Sequence, residues 1–367
     1  MSIQRIYLIG AGVIARTHAA AISRLPEPEQ VTLAVTDSNP QALADFVKEY
    51  PQARAFPDAA TMLAEEAHPT DIVIVTTPPF AHEALTCAAL ATGRHVLCEK
   101  PLALNREQAL HMLAVARAHQ RVLGCCSVRF LDWAPAVEAR RLLREQALGQ
   151  LYHVRFTHLE QRNRPAIEFQ PQSTWFLDQA RSGGGTLMDR APYEFTALND
   201  LLQPRRVEVL NAWLANPITA LQLPPETIMD VEQHAGATLR YSLADGTSVI
   251  MNYERASGTH SEEESVVEIT GLAGSLRWSW PLSRKRATLT HTYDRNGTSE
   301  SKVITFPPPE AGALRFGDKP LIYFYQRIHN QPSAAIVDER AIFNFSCIRA
   351  IYDCATSGQA QAVEWNS

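Results

Sequence analysis

Apolar and polar positions follow two different periods in the N-terminal third of the chain. Short apolar runs rich in β-branched residues occupy residues 3–9, 31–35, 71–76, 95–98 and 122–125. The stretches between them have the three-to-four residue spacing of amphipathic helices. The run at 71–76 is apolar on both faces, as a central strand of a parallel sheet must be. Strands that alternate with helices predict an α/β domain built on a parallel sheet.

The pattern changes after Arg129. One amphipathic helix, at residues 136–146, leads into a long region in which strands follow one another with turn signals such as Asp245-Gly246 between them. Strands without intervening helices predict an antiparallel or mixed sheet. The sequence therefore predicts a first domain over residues 1–124 and a second α/β domain over residues 125–367.

The first strand runs directly into Gly10-Ala11-Gly12-Val13-Ile14-Ala15, which precedes an amphipathic helix. Gly10 can bend the backbone, Gly12 lets a pyrophosphate approach it closely, and the small Ala15 allows the helix to pack on the strand. The amide groups at the helix N-terminus then face the anion. We therefore predict a dinucleotide site that includes Gly10, Gly12, Val13 and Ile14. The alternative is that these glycines only close a turn.

Asp37 follows the second strand and supplies a carboxylate where a ribose diol would lie. A carboxylate accepts hydrogen bonds from two free hydroxyls but repels a 2′-phosphate, and the neighbouring Ser38 and Asn39 carry no charge. The sequence therefore favours NAD over NADP. Arg16, one turn into the first helix, leaves NADP open.

Two further segments end buried strands on the same edge of the predicted sheet. One strand stops at Thr77-Pro78-Pro79, where proline cannot continue the ladder, so the chain turns out at the edge where cofactors bind in open α/β folds. The other leads into Glu99-Lys100-Pro101, and Lys100 there is either a site residue or a surface lysine beside a loop. The candidate cofactor residues of this edge are Thr76, Thr77, Pro78, His82, Glu99 and Lys100.

Three glycines, Gly183-Gly184-Gly185, precede an apolar helix and allow its backbone to lie close to a ligand. Asp189 and Tyr193 are four residues apart, so on a helix they project from one face and place an acid beside a phenol. Pro192 removes a backbone hydrogen bond of that helix. The helix is therefore expected either to begin near Ala191 or to be kinked there.

Together these segments resemble the glucose–fructose oxidoreductase/inositol dehydrogenase/MocA (Gfo/Idh/MocA) family of NAD(P)-dependent oxidoreductases. The matching segments are residues 10–15, Thr77-Pro78-Pro79-Phe80-Ala81-His82, Glu99-Lys100-Pro101, Arg129-Phe130, and Gly183-Gly184-Gly185 with Asp189. The resemblance implies an N-terminal Rossmann domain with a parallel sheet and a C-terminal α/β domain with a large open, mainly antiparallel sheet, often used for homodimers or homotetramers. It also implies a nicotinamide between Lys100 and the Asp189 helix, a Lys100–Pro101 peptide that is often cis, and sugar, cyclitol or related hydroxy substrates.

The chain departs from the family's commonest pattern at one position. Where many relatives have Asp-x-Gly-x-His, this sequence has Asp189-Arg190-Ala191-Pro192-Tyr193, and some relatives also use tyrosine there. We hypothesise that Tyr193 takes a hydroxyl proton while a hydride passes between the substrate carbon and the nicotinamide. Lys100 would lower the pKa of the phenol and hold the reacting oxygen, and Asp189 would orient the substrate or Lys100. The alternative is that Tyr193 is a packing residue.

The loop after residue 160 carries candidates for substrate recognition. Arg162 and Arg164, with Trp175, either line a pocket for an anionic or sugar-like ligand or belong to an exposed basic loop. Arg129 is a further candidate for substrate binding, because it belongs to the segment Arg129-Phe130 that resembles the family. No group of His, Cys, Asp and Glu has the sequence spacing of metal ligands, so no metal is expected.

Composition limits the partners. Lys and Arg number 34 and Asp and Glu 39, which gives a net charge of −5, and we expect no nucleic-acid surface. No apolar run reaches membrane-spanning length and the first strand begins almost at Met1, so a cytoplasmic location is expected. Strands at 237–242 and 249–253 are apolar on one side, which predicts either a subunit contact or cover by the domain's own helices.

Two other functional classes remain open. The first is a non-catalytic dinucleotide-binding regulator, against which Lys100, Asp189 and Tyr193 argue because a sensor needs no proton-transfer groups. The second is a redox-neutral NAD-dependent glycosidase or epimerase, which oxidises and re-reduces one bound sugar without releasing NADH. Tight retention of the cofactor would distinguish this second class.

Overall fold

The computed structural model describes residues 4–161, 173–217, 226–281 and 287–365. The chain divides into two compact units. Unit 1 consists of Met1–Arg129 and Gly312–Ile342, and unit 2 consists of Phe130–Ala311 and Phe343–Ser367. The sequence pattern placed the division at residue 124 with no return of the chain. The structure extends unit 1 to Arg129 and adds a second, distant segment to it.

Helices and strands alternate in the first part of the chain, and strands predominate in the second. The helices are α1 (Val13–Ala21), α2 (Pro40–Glu49), α3 (Ala59–Leu63), α4 (His82–Ala91), α5 (Arg106–Ala118), α6 (Ala134–Arg144), α7 (Gln179–Ser182), α8 (Thr186–Leu202), α9 (Lys319–Ile328) and α10 (Asp338–Ser357). The strands are β1 (Gln4–Ile9), β2 (Val31–Thr36), β3 (Arg54–Phe56), β4 (Ile72–Val75), β5 (His95–Cys98), β6 (Leu123–Cys125), β7 (Leu151–Leu159), β8 (Pro204–Ala215), β9 (His234–Leu243), β10 (Ser248–Ala256), β11 (Glu264–Gly271), β12 (Gly274–Trp278), β13 (Thr288–Arg295), β14 (Thr298–Thr305), β15 (Ile336–Val337) and β16 (Gln361–Glu364).

Unit 1 is a Rossmann domain. Within its described residues, seven strands form one sheet in the order β15-β6-β5-β4-β1-β2-β3, and all neighbours are parallel except β15 and β6. The central strand β4 is entirely apolar and buried, and residues 6–9 of the neighbouring β1 are buried as well, which fits a sheet covered by helices on both faces. The carboxyl ends of the parallel strands therefore meet at one edge, where the dinucleotide motif lies.

The second segment of unit 1 completes its core. Leu321 and Phe324 of α9 join the apolar cluster that Ile6 and Ile72 form in the sheet. The Phe324 ring lies so close to Gly124 of β6 that a Cβ there would be 2.6 Å from it. Because β6 needs this cover, the N-terminal unit is complete only when a segment from near the C-terminus packs on it.

Unit 2 is built on a large, mainly antiparallel sheet, so the predicted fold class is confirmed. Among the strands that the structure describes, nine pair in the order β14-β13-β12-β11-β7-β10-β9-β8-β16, and only β7 and β10 are parallel. Helix α8 packs on β9 and β10. Among the residues that the structure describes, no helix combines the length and the apolar composition needed to cross a membrane.

The two faces of this second sheet differ in polarity. Met251 and Tyr253 of β10 alternate toward α8 and are buried, so the domain's own helix covers the apolar side. On the opposite face, His153 and Asn252 side chains hydrogen-bond at 2.9 Å, and Arg240 donates to Glu208 at 2.8 Å. Of the two alternatives for the apolar side, cover by the chain's own helix is the one observed.

Candidate active site

The predicted site residues divide between the two units. The glycine turn, Asp37, the loop after β4, Lys100 and Arg129 lie in unit 1. Asp189, Tyr193 and Trp175 lie in unit 2. Arg162 and Arg164 lie outside the described residues.

The two glycines of the first turn have different roles. Gly10 has φ of +107°, its N–H donates to Thr36 O at 2.8 Å, and a Cβ would lie 2.7 Å from Thr76 Oγ1, so the fold itself requires glycine there. A Cβ on Gly12 would meet nothing within 4 Å. Gly12 is the N-cap of α1 and carries no side-chain cap, and Val13 beside it is exposed. This open helix N-terminus fits the pyrophosphate of a dinucleotide.

Asp37 lies at the end of β2 and is fixed by backbone donors. The Ala11 N–H donates to Asp37 Oδ2 at 2.6 Å, and the Asn39 N–H donates to Asp37 Oδ1 at 2.7 Å. Each oxygen keeps a further lone pair for a ribose hydroxyl. Arg16 donates to Ala11 O and Glu49, both at 2.8 Å. Its guanidinium is thus paired within the protein, which weakens the main argument for a 2′-phosphate.

Thr76 and His82 hold the carboxyl edge together from inside. Thr76 Oγ1 donates to the carbonyl groups of Ile9 and Gly10, at 3.0 and 3.1 Å. The ring nitrogens of His82 lie 2.9 Å from Pro101 O and 2.8 Å from Thr77 O, and burial lowers the pKa of this histidine. His82 thus ties the loop after β4 to the loop after β5. Direct contact of Thr76, Thr77, Pro78 and His82 with the cofactor stays a prediction.

Glu99 is the most tightly held acid of this edge. His18 Nε2 lies 2.9 Å from Glu99 Oε1 and Arg129 Nη2 lies 3.3 Å from the same oxygen, while the Lys100 N–H donates to Oε2 at 3.1 Å. Burial by itself would raise the pKa of Glu99, but the hydrogen bond from His18 and the charge of Arg129 outweigh it and lower the pKa to about 2. The next peptide bond, Lys100–Pro101, is cis. Glu99 and Arg129 therefore act on each other, and their predicted ligand contacts stay predictions.

His18 is a residue that the sequence reasoning did not single out. It is fully buried on α1 between Ala15 and Ala19, on a face that is otherwise small and apolar. A buried polar residue needs a hydrogen-bond partner, so a histidine on such a face is the signal that was available. Its partner, Glu99, is distant in sequence and could not be read from the pattern.

In unit 2, two of the three glycines, Gly184 and Gly185, lie against the protein itself. A Cβ on Gly184 would be 2.1 Å from Tyr352 Oη, and one on Gly185 would be 1.8 Å from Glu232 O. The buried Glu232 carboxylate accepts the N–H groups of Gly185 and Leu187, at 2.8 and 2.9 Å, and the Tyr352 hydroxyl at 2.9 Å. Burial raises the pKa of Glu232, although these donors oppose the shift. The N-terminus of α8 is therefore occupied by an internal carboxylate.

Helix α8 carries Asp189 and Tyr193 on one face. It runs from Thr186 through Pro192 to Leu202, so the expectation of a start near Ala191 is wrong. Glu232 and Tyr352 at its first turn explain how the helix begins before the proline. Tyr193 is 6% exposed, and its ring meets Phe130 edge-on with centroids 5.2 Å apart.

The surroundings of Asp189 and Trp175 are also defined. Asp189 Oδ2 lies 3.2 Å from Nε of Arg190, the next residue of its own helix. Its predicted role in orienting the substrate or Lys100 stays a prediction. Trp175 is half-buried in a short 3-10 helix, Thr174–Leu177, and stacks on Phe176.

A buried ionic group behind Tyr193 is a second feature that the sequence reasoning missed. Tyr253 donates to Glu194 Oε2 at 2.5 Å, and Arg255 lies 3.7 Å from Glu194 Oε1 and 3.2 Å from Glu160 Oε2. Arg255 is completely buried. Its inward position in the alternating pattern of β10 was the available signal, because a buried arginine needs a carboxylate nearby. The group anchors the turn of α8 that follows Tyr193 to the sheet.

Family models match both parts of the chain. The model described as an oxidoreductase family with an NAD-binding Rossmann fold matches residues 4–126. The model described as the GFO/IDH/MocA C-terminal domain matches residues 136–277. The dinucleotide motif, Asp37 and Glu99 all lie inside the first match, and Asp189 and Tyr193 lie inside the second.

Individual relatives cover nearly the whole chain or less than half of it. The 1,5-anhydro-D-fructose reductase of Ensifer adhaerens is 27% identical over 367 residues, covering 97% of this chain and 98% of its own. The inositol 2-dehydrogenase of Acidothermus cellulolyticus is 33% identical over 165 residues, 44% of this chain and 46% of its own. A solved levoglucosan dehydrogenase in complex with NADH shares the fold, with a TM-score of 0.78, 20% identity and 99% coverage of both chains.

Proposed function

The chain belongs to the GFO/IDH/MocA family of NAD-binding oxidoreductases, and from this premise we propose that it acts on a CH–OH group of a sugar, cyclitol or related hydroxy compound. NAD, when bound, supplies the hydride acceptor, and NADH the donor in the reverse direction. The names of the relatives, a 1,5-anhydro-D-fructose reductase and an inositol 2-dehydrogenase, support this substrate class. Gly12 and Asp37 would hold the cofactor.

The observation that carries the proposal is the fixed face of α8. Glu232 and Tyr352 hold the first turn of this helix, and Tyr253 binds Glu194 next to Tyr193. A proton acceptor must be held in one position to act on a hydroxyl, and this helix supplies such a support. The Tyr193 ring is itself held by its edge-on contact with Phe130.

In the proposed reaction, Tyr193 as phenolate would take the proton of the substrate hydroxyl. The hydrogen on the same carbon would leave with its electron pair as hydride, for which bound NAD would supply the acceptor, and the carbon–oxygen bond would become a carbonyl. Lys100 donates a hydrogen bond to the reacting oxygen. Asp189, with its partner Arg190, binds a neighbouring hydroxyl, for which a carboxylate is a good acceptor. The reverse sequence reduces a carbonyl.

The test is NADH formation, followed by absorbance, with NAD and a panel of sugars, cyclitols, uronic acids and trans-diols. Tyr193→Phe should bind NAD normally but lose about 10²- to 10⁴-fold in kcat with the active compound, because it removes the proton acceptor. Tyr241→Phe is the matched control. Tyr241 is also buried in unit 2, and its hydroxyl has no hydrogen-bond partner among the described residues.

Three outcomes decide the question. Loss of turnover in Tyr193→Phe with normal rates in Tyr241→Phe supports both the reaction and the role of Tyr193. Turnover that survives in Tyr193→Phe removes the tyrosine from the mechanism. If NAD binds and no compound yields NADH, the dehydrogenase proposal fails and the regulator or redox-neutral classes replace it.

We further propose that the chain forms homodimers or homotetramers through the open face of the unit 2 sheet. Polar pairs such as His153–Asn252 and Arg240–Glu208 cover this face and suit a hydrated contact between copies. Light scattering should give a multiple of the chain mass. Asn252→Arg should lower that mass, whereas Asp45→Arg on the exposed face of α2 should not, and a monomeric wild type would contradict the proposal.

A further inference from the structure

His18 makes a contact that the dinucleotide motif does not require. It lies on α1 six residues after Gly12, and its Nε2 is 2.9 Å from Glu99 Oε1 at the end of β5. Both side chains are almost completely buried. Burying a histidine and a carboxylate is costly unless they pair. Each of the two residues therefore needs the other as its hydrogen-bond partner.

The carboxylate divides its two oxygens between different tasks. Oε1 is held from one side by His18 and from the other by Arg129 Nη2 at 3.3 Å. Oε2 accepts the N–H of Lys100 at 3.1 Å. The clamp on Oε1 therefore fixes the orientation of Oε2, and Oε2 fixes the peptide from which the Lys100 side chain departs.

The protonation pattern of His18 follows from this arrangement. An ionised carboxylate only accepts hydrogen bonds, so Nε2 of His18 must carry the proton that points at Glu99. Nδ1 of His18 is buried and has no hydrogen-bond partner among the described residues, so a proton there would be an unsatisfied donor. The geometry thus assigns the ring hydrogen to Nε2, which acts as a fixed donor to Glu99.

A metal ion is a poorer explanation of the same group. The ligand atoms of His18, Glu99 and Cys126 lie within 4.8 Å of one another. However, Arg129 already occupies Glu99 Oε1, and a cation beside a guanidinium would be repelled. A metal-bound histidine also donates its other ring N–H to a partner, and Nδ1 of His18 has none among the described residues.

We propose that His18 is a positioning residue of the active site, which acts through Glu99 to hold Lys100 in place. The proposal rests on the role proposed above for Lys100. It adds that α1 serves the site twice, because its N-terminus faces the pyrophosphate position and its buried face fixes the loop on the nicotinamide side. Loss of the His18 donor leaves the glycine turn intact and releases the Lys100 peptide.

The test compares His18→Leu and His18→Gln with the same changes at His95. His95 is a buried histidine of the same unit with the same tautomer, since its Nδ1 accepts the Val122 N–H at 3.0 Å and its Nε2 lies 2.9 Å from Pro69 O. It stands at the opposite, amino-terminal end of β5. Both histidine sites should lose stability, measured by urea unfolding, and zinc content is measured on all variants.

The kinetic readout separates positioning from stability. His18→Leu should keep its NAD dissociation constant and lose about 10- to 100-fold in kcat, because a small displacement of a catalytic group costs that much. His18→Gln, which retains an amide donor, should recover a large part of the loss. The His95 variants should keep kcat per folded molecule. Equal kcat in His18→Leu and wild type, or no rescue by glutamine, would overturn the proposal.

A second readout does not depend on any substrate. The Lys100 amide should exchange its hydrogen at least about tenfold faster in His18→Leu than in wild type, while the His95 amide, bonded to Asp71 O at 3.0 Å, should not change. Unchanged hydrogen exchange of the Lys100 amide would overturn the inference, even if the enzyme does not act on sugars. Faster exchange of the Lys100 amide in His18→Leu, combined with no turnover by the wild-type enzyme, would contradict only the proposed function. Stoichiometric zinc in wild type that is lost in the His18 variants would overturn the positioning role of His18.

Discussion

The two edges of the Rossmann sheet each hold a buried carboxylate between cationic or donor groups, but they differ in what that carboxylate serves. At the amino edge, Asp71 precedes β4 and accepts two 2.8 Å hydrogen bonds from Arg5, with Arg94 3.5 Å away. At the carboxyl edge, Glu99 follows β5 and is held by His18 and Arg129.

The difference lies in the remaining partners of each acid. Asp71 also accepts the His68 N–H at 3.0 Å, and Arg94 donates to the carbonyl groups of Leu63 and Glu65, so this group closes loops of the scaffold. Glu99 instead binds the N–H of Lys100. A buried carboxylate held by donor groups therefore stabilises the fold at the amino edge and supports the candidate site at the carboxyl edge. This is expected for a sheet whose ligands bind at the carboxyl ends of its strands.

The largest expected effect is at the amino edge. Asp71→Ala leaves the fully buried Arg94 without its carboxylate and should lower the free energy of unfolding by about 3–5 kcal/mol. Urea unfolding followed by circular dichroism measures it. Asp58→Ala, which removes the exposed N-cap of α3, is the control and should cost about 1 kcal/mol. The NAD affinity of folded Asp71→Ala should equal that of wild type, and a clear loss would contradict the division between edges.

The free energy of unfolding at acid pH should depend on the ionisation of Glu99. Its pKa of about 2 in the folded protein lies below the ordinary value of 4.5, so the carboxylate stabilises the fold above about pH 4.5 and this contribution is lost as the pH falls through 2. The shift corresponds to on the order of 3 kcal/mol.

The contribution of Glu99 is measured by comparing the unfolding of wild type and Glu99→Gln over a range of pH. The free energies of unfolding of wild type and Glu99→Gln should converge as the pH falls from about 5 to 2, because glutamine does not titrate in that range. Glu107→Gln, at an exposed position of α5, should run parallel to wild type. A constant gap between wild type and Glu99→Gln over this range would show that the carboxylate is not held as described.

Replacing Asp37 tests whether the carboxyl edge of the sheet binds the cofactor. Asp37→Ser should weaken NAD binding about 10- to 100-fold, because hydrogen bonds to a charged acceptor contribute about 2 kcal/mol, and should narrow the preference over NADP. Titration calorimetry with both nucleotides measures the change. Asp45→Ser on the exposed side of α2 is the matched control. Equal NAD affinity in Asp37→Ser and wild type would mean that Asp37 only closes the glycine turn through Ala11.

The smallest effect is expected at Arg16. Its ion pair with Glu49 is partly exposed, and such pairs contribute about 0–1 kcal/mol. Arg16→Leu should therefore change the ratio of NAD to NADP affinity by less than about fivefold. A tenfold or larger loss of NADP binding would show that Arg16 leaves Glu49 to meet a 2′-phosphate.

The sequence by itself determined the parallel strands of unit 1 and its dinucleotide-binding class. Its hydrophobic periods are local, and so is the turn from Gly10 to Gly12, because the conformation of a glycine and the burial of a strand depend mainly on nearby residues. The same holds for Asp37, which follows β2 directly. The mainly antiparallel sheet of unit 2 was also readable from consecutive strands and turns.

Only the tertiary structure decided which residues support the site. His18 and Glu99 are 81 residues apart, Gly185 and Glu232 are 47 apart, and the segment that covers Gly124 comes from beyond residue 311. Buried polar groups must be paired, but many arrangements satisfy that rule equally well in a linear sequence. The choice among them is made by packing, and so the partners of the predicted residues became visible only in the fold.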